Sequence, residues 1–424
     1  MELIVTKFGG TALANPKRIK HVARRLVDYH SQGKQVLAVV SAMGKTTDEL
    51  LGLAQQITPR PPARELDILL ATGEMISMSL LAMAIETLGT RALSMTGHQA
   101  GIVTNTRHNK AQISHIKTER IKAALEEQNI VIVAGFQGTT RTGELTTLGR
   151  GGSDTSAVAL AAALGARRCE IYTDVDGVYS ADPRVVPRAQ KLDTISYEEM
   201  LELAAAGSGV LQVRSVEFAR NFAVELHCKN AFSNNPGTVI KEAGVERAIV
   251  SGIAYDDSEA KITVRGVPDA LGIAATVFEA IAKANINIDM IVQNISENGH
   301  TDISFTSPAG ELDRLRPVLD AQVKQLGARE YLVEESITKL SLVGAGMRTN
   351  PGVAAKMFKV LSQNGINIEM ISTSAIRISV VIAAEKSQIA QRALHTAFDL
   401  DASEVFEEKL LSPEEQAAKA AKGR

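Results

Sequence analysis

The sequence predicts an α/β protein: a layered domain with a mainly parallel sheet, followed by two copies of a smaller α+β module. Strand and helix signals alternate over residues 1–245, which is typical of a parallel sheet covered by helices. The pattern then changes, and residues 271–291 recur as residues 351–371, an offset of 80. At 424 residues the chain also exceeds the ~250–300 residues that a single hydrophobic core usually spans.

The alternation in the first part can be followed element by element. Residues 36–40 form a continuous apolar run, as expected of a strand that is covered on both faces. Asn15 and Pro16 stand where a helix cap and the first helical residue are expected. The predicted strands are 3–5, 36–40, 91–95, 130–134 and 169–173, and the predicted helices begin at 16 and span 47–57, 64–88, 110–127 and 153–165.

The second part is a duplicated module rather than a solenoid, because its repeat is the size of a small domain. Residues 271–275 (LGIAA) align with 351–355 (PGVAA), and residues 285–291 (NINIDMI) align with 365–371 (GINIEMI). Each copy has the pattern of a strand, a glycine turn, a helix and an alternating apolar strand. We therefore expect domains at 1–245, 246–330 and 331–410, with a disordered or frayed helical tail at 411–424.

Composition and charge exclude several classes of partner. The chain has 46 Lys and Arg against 48 Asp and Glu, and only 4% aromatic residues, so it offers nucleic acid neither a basic field nor a stacking surface. No apolar run approaches the ~20 residues of a membrane span, and the N-terminus lacks signal-peptide features. Cys169 and Cys228 are too few for a disulfide framework and are expected to be buried thiols. We expect a cytoplasmic protein that contacts no membrane and no nucleic acid.

The first motif that points to chemistry is Lys7-Phe8-Gly9-Gly10-Thr11, at the carboxyl end of the first predicted strand. The two glycines let backbone amides approach an anion, and the lysine adds a compact positive charge. The helix that begins beyond them favours anions at its N-terminus. A tight strand-to-helix turn with an exposed lysine would use the same residues, so the motif alone leaves both interpretations open.

The second motif, LGRGGSDT at residues 148–155, opens the helix predicted at 153–165. Its three glycines at a helix start can cradle a phosphate or a carboxylate. Arg150 can bind a carboxylate with two hydrogen bonds, and Asp154 can balance an ammonium group. A helix cap by Ser153 or Asp154 would explain one polar residue and leave the arginine and the glycines unexplained.

The third motif, TDVDGVYSADPR at residues 173–184, follows the predicted strand at 169–173. Polar residues beyond the carboxyl end of a strand stand where open α/β sheets bind ligands. The spacing does not fit an EF-hand loop, and the segment alone could be a solvated turn. Three smaller signals, Ser41, Thr47 and Glu74, would suit an amino-acid substrate near a phosphate cradle, although each type is more often a cap or a surface residue.

In this order, the three motifs and the duplicated module resemble the amino-acid kinase superfamily, and within it the aspartate kinases. The resemblance implies an amino-acid-kinase-like three-layer domain followed by two ferredoxin-like ACT modules. It also implies the reaction, in which MgATP donates its γ-phosphoryl group to the β-carboxylate of L-aspartate. The products are 4-phospho-L-aspartate and ADP, at the first step of lysine, threonine and methionine biosynthesis. The expected ligands are therefore ATP, Mg²⁺ and L-aspartate, with no metal held by a dedicated cluster of side chains.

The resemblance also implies a role for each motif residue. The catalytic residues would be Lys7, Gly9, Gly10 and Asp154, of which the first three would hold the transferring phosphoryl group. In the substrate site, Arg150 would bind the α-carboxylate, and Glu74 and Asp154 would face the ammonium group. The remaining substrate residues would be Ser41, Thr47, Gly151, Gly152 and Ser153. The nucleotide residues would be Lys7, Gly9, Gly10, Thr173, Asp174, Tyr179, Asp182 and Arg184.

Feedback regulation is a further implication of the resemblance. Lysine, threonine or both would bind between the ACT modules of two chains in a homo-oligomer. The sequence leaves open whether a shorter regulatory chain is also made from an internal start. The family's Pro-Gly ligand turn is kept at Pro351-Gly352 and replaced by Leu271-Gly272 in the first copy. The expected effector residues are Asp269, Gly272, Ala274, Asn287, Asp289, Gln293, Asn367 and Glu369.

One position departs from the family pattern. Gly209 stands where the family usually has a lysine that approaches the nucleotide, so ATP affinity is the property in question. Lys191 and Arg214 are the candidates to compensate. A catalytically weak or silent amino-acid sensor is therefore the alternative function, although the intact catalytic motifs oppose it. A glutamate or acetylglutamate kinase would share the glycine loops but would not be expected to carry the ACT pair.

Overall fold

A computed structural model describes residues 1–244, 248–294 and 299–402, so the tail predicted at 411–424 lies outside the described residues. The chain divides into two compact units. The first unit comprises residues 1–178 and 191–247, and the second comprises residues 179–190 and 248–424.

The first unit alternates strands and helices, as the sequence predicted. Its elements are β1 (Leu3–Phe8), α1 (Pro16–Ser31), β2 (Gln35–Val40), α2 (Thr46–Ile57), α3 (Ala63–Glu86), β3 (Ala92–Met95), β4 (Ile102–Thr104), β5 (Ile113–Ile116), α4 (Glu119–Glu126), β6 (Ile130–Ala134), β7 (Gln137–Thr139), β8 (Leu145–Thr147), α5 (Gly152–Leu164), β9 (Arg168–Thr173), β10 (Thr194–Ser196), α6 (Tyr197–Ala205), α7 (Val213–Asn221), β11 (Glu225–Asn230) and β12 (Thr238–Lys241).

The centre of this unit is an eight-stranded sheet in the order β10-β12-β11-β9-β1-β2-β6-β3. Every neighbouring pair is parallel except β11 and β12, so the predicted mainly parallel sheet is confirmed. A smaller sheet has the order β5-β4-β7-β8. Because the six strands from β11 to β3 run the same way, their carboxyl ends meet at one edge of the large sheet.

Side-chain alternation along β1 assigns its residues to the two faces of the sheet. Ile4 and Phe8 are fully buried in the core formed with α1 and α3. Lys7 therefore projects from the opposite face. Helix α5 covers that face, where it packs against β1, β2 and β9. Helices thus cover both faces, which gives the predicted three-layer arrangement.

Helix α3 corrects one statement of the sequence analysis. By length and composition alone, Ala63–Glu86 is apolar enough to cross a membrane, although the sequence analysis found no such run. In the structure this helix carries the buried carboxylates of Asp67 and Glu74, and Leu81 and Ile85 pack in the core with α1. These contacts are those of a core helix in a layered domain.

The helix predicted at 110–127 is wrong over its first half. Ile113–Ile116 is strand β5, which pairs with β4, and the helix begins only at Glu119. Its pairing partner β4 (Ile102–Thr104) was not among the predicted strands, and pairing with it overrode the local preference here.

The second unit contains the duplicated module. Its elements are β13 (Gly252–Asp256), β14 (Glu259–Pro268), α8 (Ile273–Lys283), β15 (Ile291–Gln293), β16 (His300–Pro308), α9 (Leu312–Leu326), β17 (Glu330–Glu334), β18 (Ile337–Val343), α10 (Val353–Gln363), β19 (Met370–Thr373), β20 (Arg377–Ala383) and α11 (Ser387–Ala397).

The two copies fold alike. Each has an antiparallel four-stranded sheet, in the orders β15-β16-β14-β17 and β13-β18-β20-β19. Gly272 and Gly352, which the repeat aligns, both precede a helix in the left-handed conformation, with φ of 86° and 99°. Glycine adopts this conformation without the steric cost that other residues would incur. The predicted pair of α+β modules is confirmed.

Strand β13 does not belong to the module that the sequence predicted for it. It lies in the range predicted for the first module, 246–330, yet it pairs with β18 in the sheet of the second. The first module, from β14 to β17, is thus inserted in the sequence between two strands of the second. The contiguous ranges 246–330 and 331–410 stay a prediction. Two strands depart from them: β13, and β17 of the first module, which crosses the boundary at 330/331.

Candidate active site

The first and third motifs follow the carboxyl ends of neighbouring strands. Phe8 of β1 is in register with the last residue of β2 and with Tyr172 of β9. Two backbone hydrogen bonds continue this register, because Gly9 N donates to Tyr172 O (3.2 Å) and Ser41 N donates to Phe8 O (3.1 Å). Gly9, Ser41 and Thr173 therefore leave the sheet at the same edge.

An ion pair joins the first motif to the second. Lys7 Nζ lies 2.6 Å from Asp154 Oδ1, and the two side chains are only 12% and 8% exposed. Asp154 lies in the first turn of α5, which covers the face of the sheet from which Lys7 projects. A buried pair of this kind fixes both side chains, because either ion alone would be costly to bury.

Three glycines allow the start of α5 to approach its neighbours closely. Gly151 has φ of 66°, and a Cβ there would lie 1.9 Å from Gln212 Cγ. A Cβ on Gly152 would lie 2.9 Å from Leu148 Cβ, and one on Gly135 would lie 2.8 Å from Ser153 Oγ. A side chain at any of these positions would displace the helix start that carries Ser153 and Asp154.

Gly10 and Glu74 converge on the loop after β2. A Cβ on Gly10 would lie 2.8 Å from Ala42 O, and one on Gly73 would lie 2.8 Å from Ala42 Cβ. Glu74 Oε1 accepts a hydrogen bond from Ala42 N (3.0 Å). The second carboxyl oxygen, Oε2, is buried and has no partner among the described residues. Burial raises the pKa of Glu74 to about 7. Such a raised pKa is expected of a buried carboxyl group that has no cation beside it.

The remaining substrate residues surround this loop and the start of α5. Ser41 is half-buried at the end of β2, and Thr47 is half-buried in the first turn of α2. Arg150 is exposed, and within the described ranges its guanidinium makes no hydrogen bond or ion pair. A planar guanidinium of this kind can bind a carboxylate with two parallel hydrogen bonds.

Asp67 is a residue of this region that the sequence analysis missed. It is fully buried on α3, accepts hydrogen bonds from Thr147 Oγ1 and from Asn109 N (3.0 Å), and pairs with His108 Nδ1 (2.7 Å). These contacts hold the end of β8, two residues before Gly149. An aspartate in an otherwise apolar stretch of a helix, residues 66–71, was the only available signal.

The structure divides the predicted nucleotide residues between the two units. Thr173 and Asp174 lie in the first unit, where Thr173 Oγ1 accepts a hydrogen bond from Val175 N (2.9 Å) and Asp174 is exposed. Tyr179, Asp182 and Arg184 belong to the second unit. Burial raises the pKa of Asp182, but hydrogen bonds from Arg184 Nε (3.0 Å) and Nη2 (2.7 Å) outweigh it and hold that pKa below its usual value.

Both candidate replacements for the lysine expected at position 209 make hydrogen bonds elsewhere. Gly209 is exposed, and no atom lies within 4 Å of the position of its Cβ. Arg214 donates to Leu148 O (3.0 Å) and to Ala111 O (2.9 Å). Lys191 donates to a side chain and a carbonyl next to β12, Asp193 Oδ1 (2.7 Å) and Gly237 O (2.9 Å). Compensation by these two cations is not supported.

The predicted effector residues form two groups in the second unit. All of them are exposed or half-buried. The first group comprises Asp269, Gly272, Ala274, Asn287 and Gln293, around the α8 turn and the strand that follows it, together with Asn367, which follows α10 in the second module. The other group is Asp289 and Glu369, which the repeat aligns. Lys339 Nζ lies 2.7 Å from Asp289 Oδ2, and Lys261 Nζ lies 3.0 Å from Glu369 Oε2. Lys261 of β14 in the first module thus pairs with a carboxylate of the second module, and Lys339 of β18 in the second module pairs with a carboxylate of the first.

Within residues 1–244, 248–294 and 299–402, no group of three His, Cys, Asp or Glu side chains could hold a metal ion. Both cysteines are buried, as predicted.

Comparison with known proteins follows the same division of the chain. The model of the amino acid kinase family matches residues 2–230, and an ACT domain model matches residues 253–315 and 340–398. The aspartokinase of Mycolicibacterium smegmatis is 52% identical over 407 residues, which cover 94% of this chain and 97% of that protein. The aspartate kinase of Pseudomonas putida is 49% identical over 405 residues, which cover 95% and 98%.

A solved structure shares the fold along nearly the whole chain. Aspartokinase III of E. coli, in complex with aspartate and ADP in its R-state, matches with a TM-score of 0.81 and 24% identity, over 93% of this chain and 99% of that chain. The structural match shows the fold, and the identity to full-length relatives, together with the two domain matches, shows the family. The chain belongs to the aspartokinase family, the aspartate kinases that carry C-terminal ACT domains.

Proposed function

We propose that the residues at the carboxyl edge of the large sheet carry out the family reaction, transfer of the γ-phosphoryl group of ATP to the β-carboxylate of L-aspartate. The observation that carries this proposal is the buried ion pair of Lys7 and Asp154, 2.6 Å apart, which joins the two glycine motifs. A carboxylate nucleophile is already ionised at neutral pH and needs no general base. The protein's contribution is then to position the reactants and neutralise charge.

Lys7 and the first glycine turn would hold the phosphoryl group. The amide of Gly9 already donates to Tyr172 O, so we assign the amide contact to Gly10, the first residue of a short helical turn, Gly10–Leu13. Gly9 would contribute by lacking a side chain, because a Cβ there would lie 3.5 Å from Lys7 Nζ and occupy the space beside the cation. This assignment narrows the role that the resemblance implied for Gly9.

Aspartate would be held by charges of opposite sign at its two ends. Arg150 would bind the α-carboxylate, since it is exposed and otherwise uncommitted among the described residues. Glu74 and Asp154 would face the ammonium group. The buried, unpartnered Oε2 of Glu74 supports this role, because a cation placed there would stabilise the ionised carboxylate. Ser41, Thr47 and Ser153, with the turn at Gly151 and Gly152, would complete the pocket.

The residues expected to bind ATP are Thr173, Asp174, Tyr179, Asp182 and Arg184. ADP in the related E. coli enzyme supports a nucleotide site in this fold. Mg²⁺ would supply charge neutralisation on the phosphates. Because the described residues contain no three-ligand cluster, its ligands would come mainly from phosphate oxygens and water.

The ACT modules would bind lysine, threonine or both and lower the activity. A structure of E. coli aspartokinase III in complex with lysine and aspartate, in its T-state, matches this chain with a TM-score of 0.70 and 24% identity, over 94% of this chain and 100% of that chain. We propose a site at the α8 turn and the following strands, Asp269, Gly272, Ala274, Asn287, Asp289 and Gln293, with Asn367 and Glu369 from the second module. The chain would assemble through these modules with a second copy of itself or with a shorter regulatory chain. Its location would be the cytoplasm.

The experiment that tests the proposal is an assay of acyl phosphate formation. The purified chain is incubated with MgATP and hydroxylamine, and the hydroxamate is measured with aspartate, glutamate or N-acetylglutamate as acceptor. We expect product with aspartate only, in step with ADP formation. Product with glutamate or acetylglutamate would assign another acceptor. No product with any acceptor, together with tight binding of lysine or threonine, would support the silent sensor.

A further inference from the structure

Ser180, His395 and Asp401 form a hydrogen-bonded chain inside the second unit, and Ser180 is 215 residues away from His395 in sequence. His395 of α11 lies between Ser180 and Asp401, with 2.8 Å from Nε2 to Ser180 Oγ and 2.8 Å from Nδ1 to Asp401 Oδ1. Thr396 Oγ1 also donates to Asp401, to Oδ2 (3.0 Å). His395 is fully buried and Ser180 is 1% exposed.

The arrangement has the residue types of a hydrolase triad, but its environment does not suit one. Ser180 Oγ accepts a hydrogen bond from Gln190 N (2.8 Å) and is enclosed, so no substrate carbonyl can reach it. Burial lowers the pKa of His395, and this effect outweighs that of Asp401, which raises the pKa. The lowered pKa favours the neutral imidazole at pH 7. A neutral ring then donates from Nδ1 to Asp401 and accepts at Nε2 from Ser180. The chain of bonds is therefore structural.

Ser180 closes a loop that leaves the first unit after Val178 and returns at Lys191. Its backbone N donates to Gln190 O (2.8 Å), its Oγ accepts from Gln190 N, and its carbonyl accepts from Ile253 N of β13 (2.7 Å). These bonds form the neck of the loop at residues 179–190. The loop carries Tyr179, Asp182 and Arg184, the three nucleotide residues proposed above for the second unit.

The rest of the loop is bound to the second ACT module as well. Arg392 Nε of α11 donates to Val185 O (2.8 Å), and Ala402 N donates to Arg188 O (2.7 Å). Ala181, Val186 and Ala189 are buried in one hydrophobic core with Leu394 and Leu400. The loop is thus folded as part of the regulatory unit although it belongs in sequence to the kinase domain.

We infer that His395 is a positioning residue for nucleotide binding, which acts by holding Ser180 at the neck of the loop. The inference rests on the proposed role of this loop in binding ATP. It connects the second ACT module, through one helix and one histidine, to the loop that carries Tyr179, Asp182 and Arg184. A shift of α11 that breaks the contact between His395 and Ser180 frees the neck and weakens nucleotide binding.

The test compares His395→Ala and Ser180→Ala with the wild type in the full chain. The matched control is Gln391→Ala, which removes a buried polar side chain one turn earlier on α11 whose hydrogen bond goes to Ser387 of the same helix. Three quantities are measured: the Kd for ADP by calorimetry, the KM for aspartate, and hydrogen exchange of peptides that cover residues 179–190. Ser180→Ala is the milder variant and keeps the test valid if His395→Ala unfolds the module.

We expect both variants to weaken ADP binding by about fivefold or more and to speed exchange at 179–190, with the KM for aspartate within about twofold of wild type. The double variant should be no weaker than His395→Ala alone, because both changes break one connection. Unchanged exchange at 179–190, or equal losses for ADP and aspartate, would overturn the inference. Faster exchange with unchanged ADP affinity would also overturn it. Asp182→Ala is assayed in parallel, because it removes a proposed nucleotide contact and leaves the neck intact. Unchanged ADP affinity in Asp182→Ala would show that the proposed nucleotide site is wrong, independently of the inference about His395.

Discussion

Lys7 and Asp154 are the pair on which the candidate active site is organised, with 2.6 Å between Lys7 Nζ and Asp154 Oδ1. Lys7 is the next-to-last residue of β1, which leads into the first glycine turn, and Asp154 lies in the first turn of α5 in the second motif. In our proposal one faces the phosphoryl group and the other faces the ammonium group of aspartate. Because both side chains are nearly buried, the electrostatic interaction between them is stronger than it would be in water. The pair thus links the two substrates electrostatically.

Glu74 should make aspartate binding depend on pH. Burial raises the pKa of its carboxyl to about 7, and only the ionised form pairs with an ammonium group. Free aspartate does not titrate near pH 7, so the KM for aspartate should rise by up to about tenfold for each pH unit below 7. Glu74→Gln should have a raised KM that varies little with pH. Steady-state kinetics between about pH 6 and 8 check this, with Glu65→Gln, exposed on the same helix, as the control.

The same carboxyl determines a trend in stability. Its pKa in the folded chain lies above the ordinary value of 4.5, so the folded state binds the extra proton. Its stabilising contribution is complete below pH 4.5 and is lost as the pH rises to about 7, by at most about 3 kcal/mol. Glu74→Gln should lack this loss. A flat KM profile in the wild type, or the same melting-temperature profile in both proteins, would contradict the assignment.

Gly209→Lys should lower the KM for ATP. The position is exposed and its Cβ would meet no atom within 4 Å, so a lysine fits without strain. A partly solvated cation near phosphates should lower the KM by about two- to tenfold. Gly244→Lys, which adds the same charge at another open glycine of the first unit, should have no effect. An unchanged or raised KM for ATP in Gly209→Lys would rule out a phosphate contact from this position.

Asp269→Ala should abolish feedback inhibition and leave the kcat within about twofold of wild type. Asp269 is exposed beside the left-handed turn at Gly272, at the start of α8, and lies outside the kinase unit. The measurement is a titration of activity with lysine, threonine and both together. Glu279→Ala, on the exposed face of α8, should retain inhibition. Retained inhibition of Asp269→Ala by both amino acids would remove this residue from the effector site.

Lys339→Met should destabilise the second unit. Lys339 is 2% exposed and lies near three carboxylates, at 2.7 Å from Asp289, 3.8 Å from Glu259 and 3.9 Å from Asp256. Loss of the cation leaves these carboxylates to repel one another, at a cost of about 2–3 kcal/mol after allowance for the partial exposure of Asp289. Thermal unfolding measures the change. Lys359→Met, exposed on α10, is the control, and equal melting temperatures for the two variants would contradict the expected cost.

The sequence predicted those parts of the site that depend on short spacings. Lys7, Gly10 and Asp154 each lie beside a strand or helix end, where the residue type itself indicates the chemistry. Asp67 was missed because Thr147, to which it is hydrogen-bonded, is 80 residues away. The hydrogen bond from Arg214 to Leu148 O was not predicted for the same reason, since the two residues are 66 positions apart. Local patterns do not contain such contacts, which only the packing of distant elements creates.

The same limit applies to the second unit. The repeat predicted two alike modules, because each copy has its own glycine turn and apolar alternation. It did not predict that β13 completes the second sheet, since that strand precedes the first copy in sequence. Nor did it predict the contact between Ser180 and His395, which are 215 residues apart. Domain ranges read from a repeat miss a strand or a loop that crosses between copies.

The most direct test of the account is the hydroxamate assay on Lys7→Met with saturating MgATP and aspartate. Lys7→Met removes the cation proposed to hold the phosphoryl group, and Lys20→Met, exposed on α1, removes one of equal charge from the surface. We predict that Lys7→Met lowers the kcat for 4-phospho-L-aspartate by about 100-fold or more and that Lys20→Met has the wild-type rate. A folded Lys7→Met enzyme with a kcat close to that of Lys20→Met would contradict the central claim.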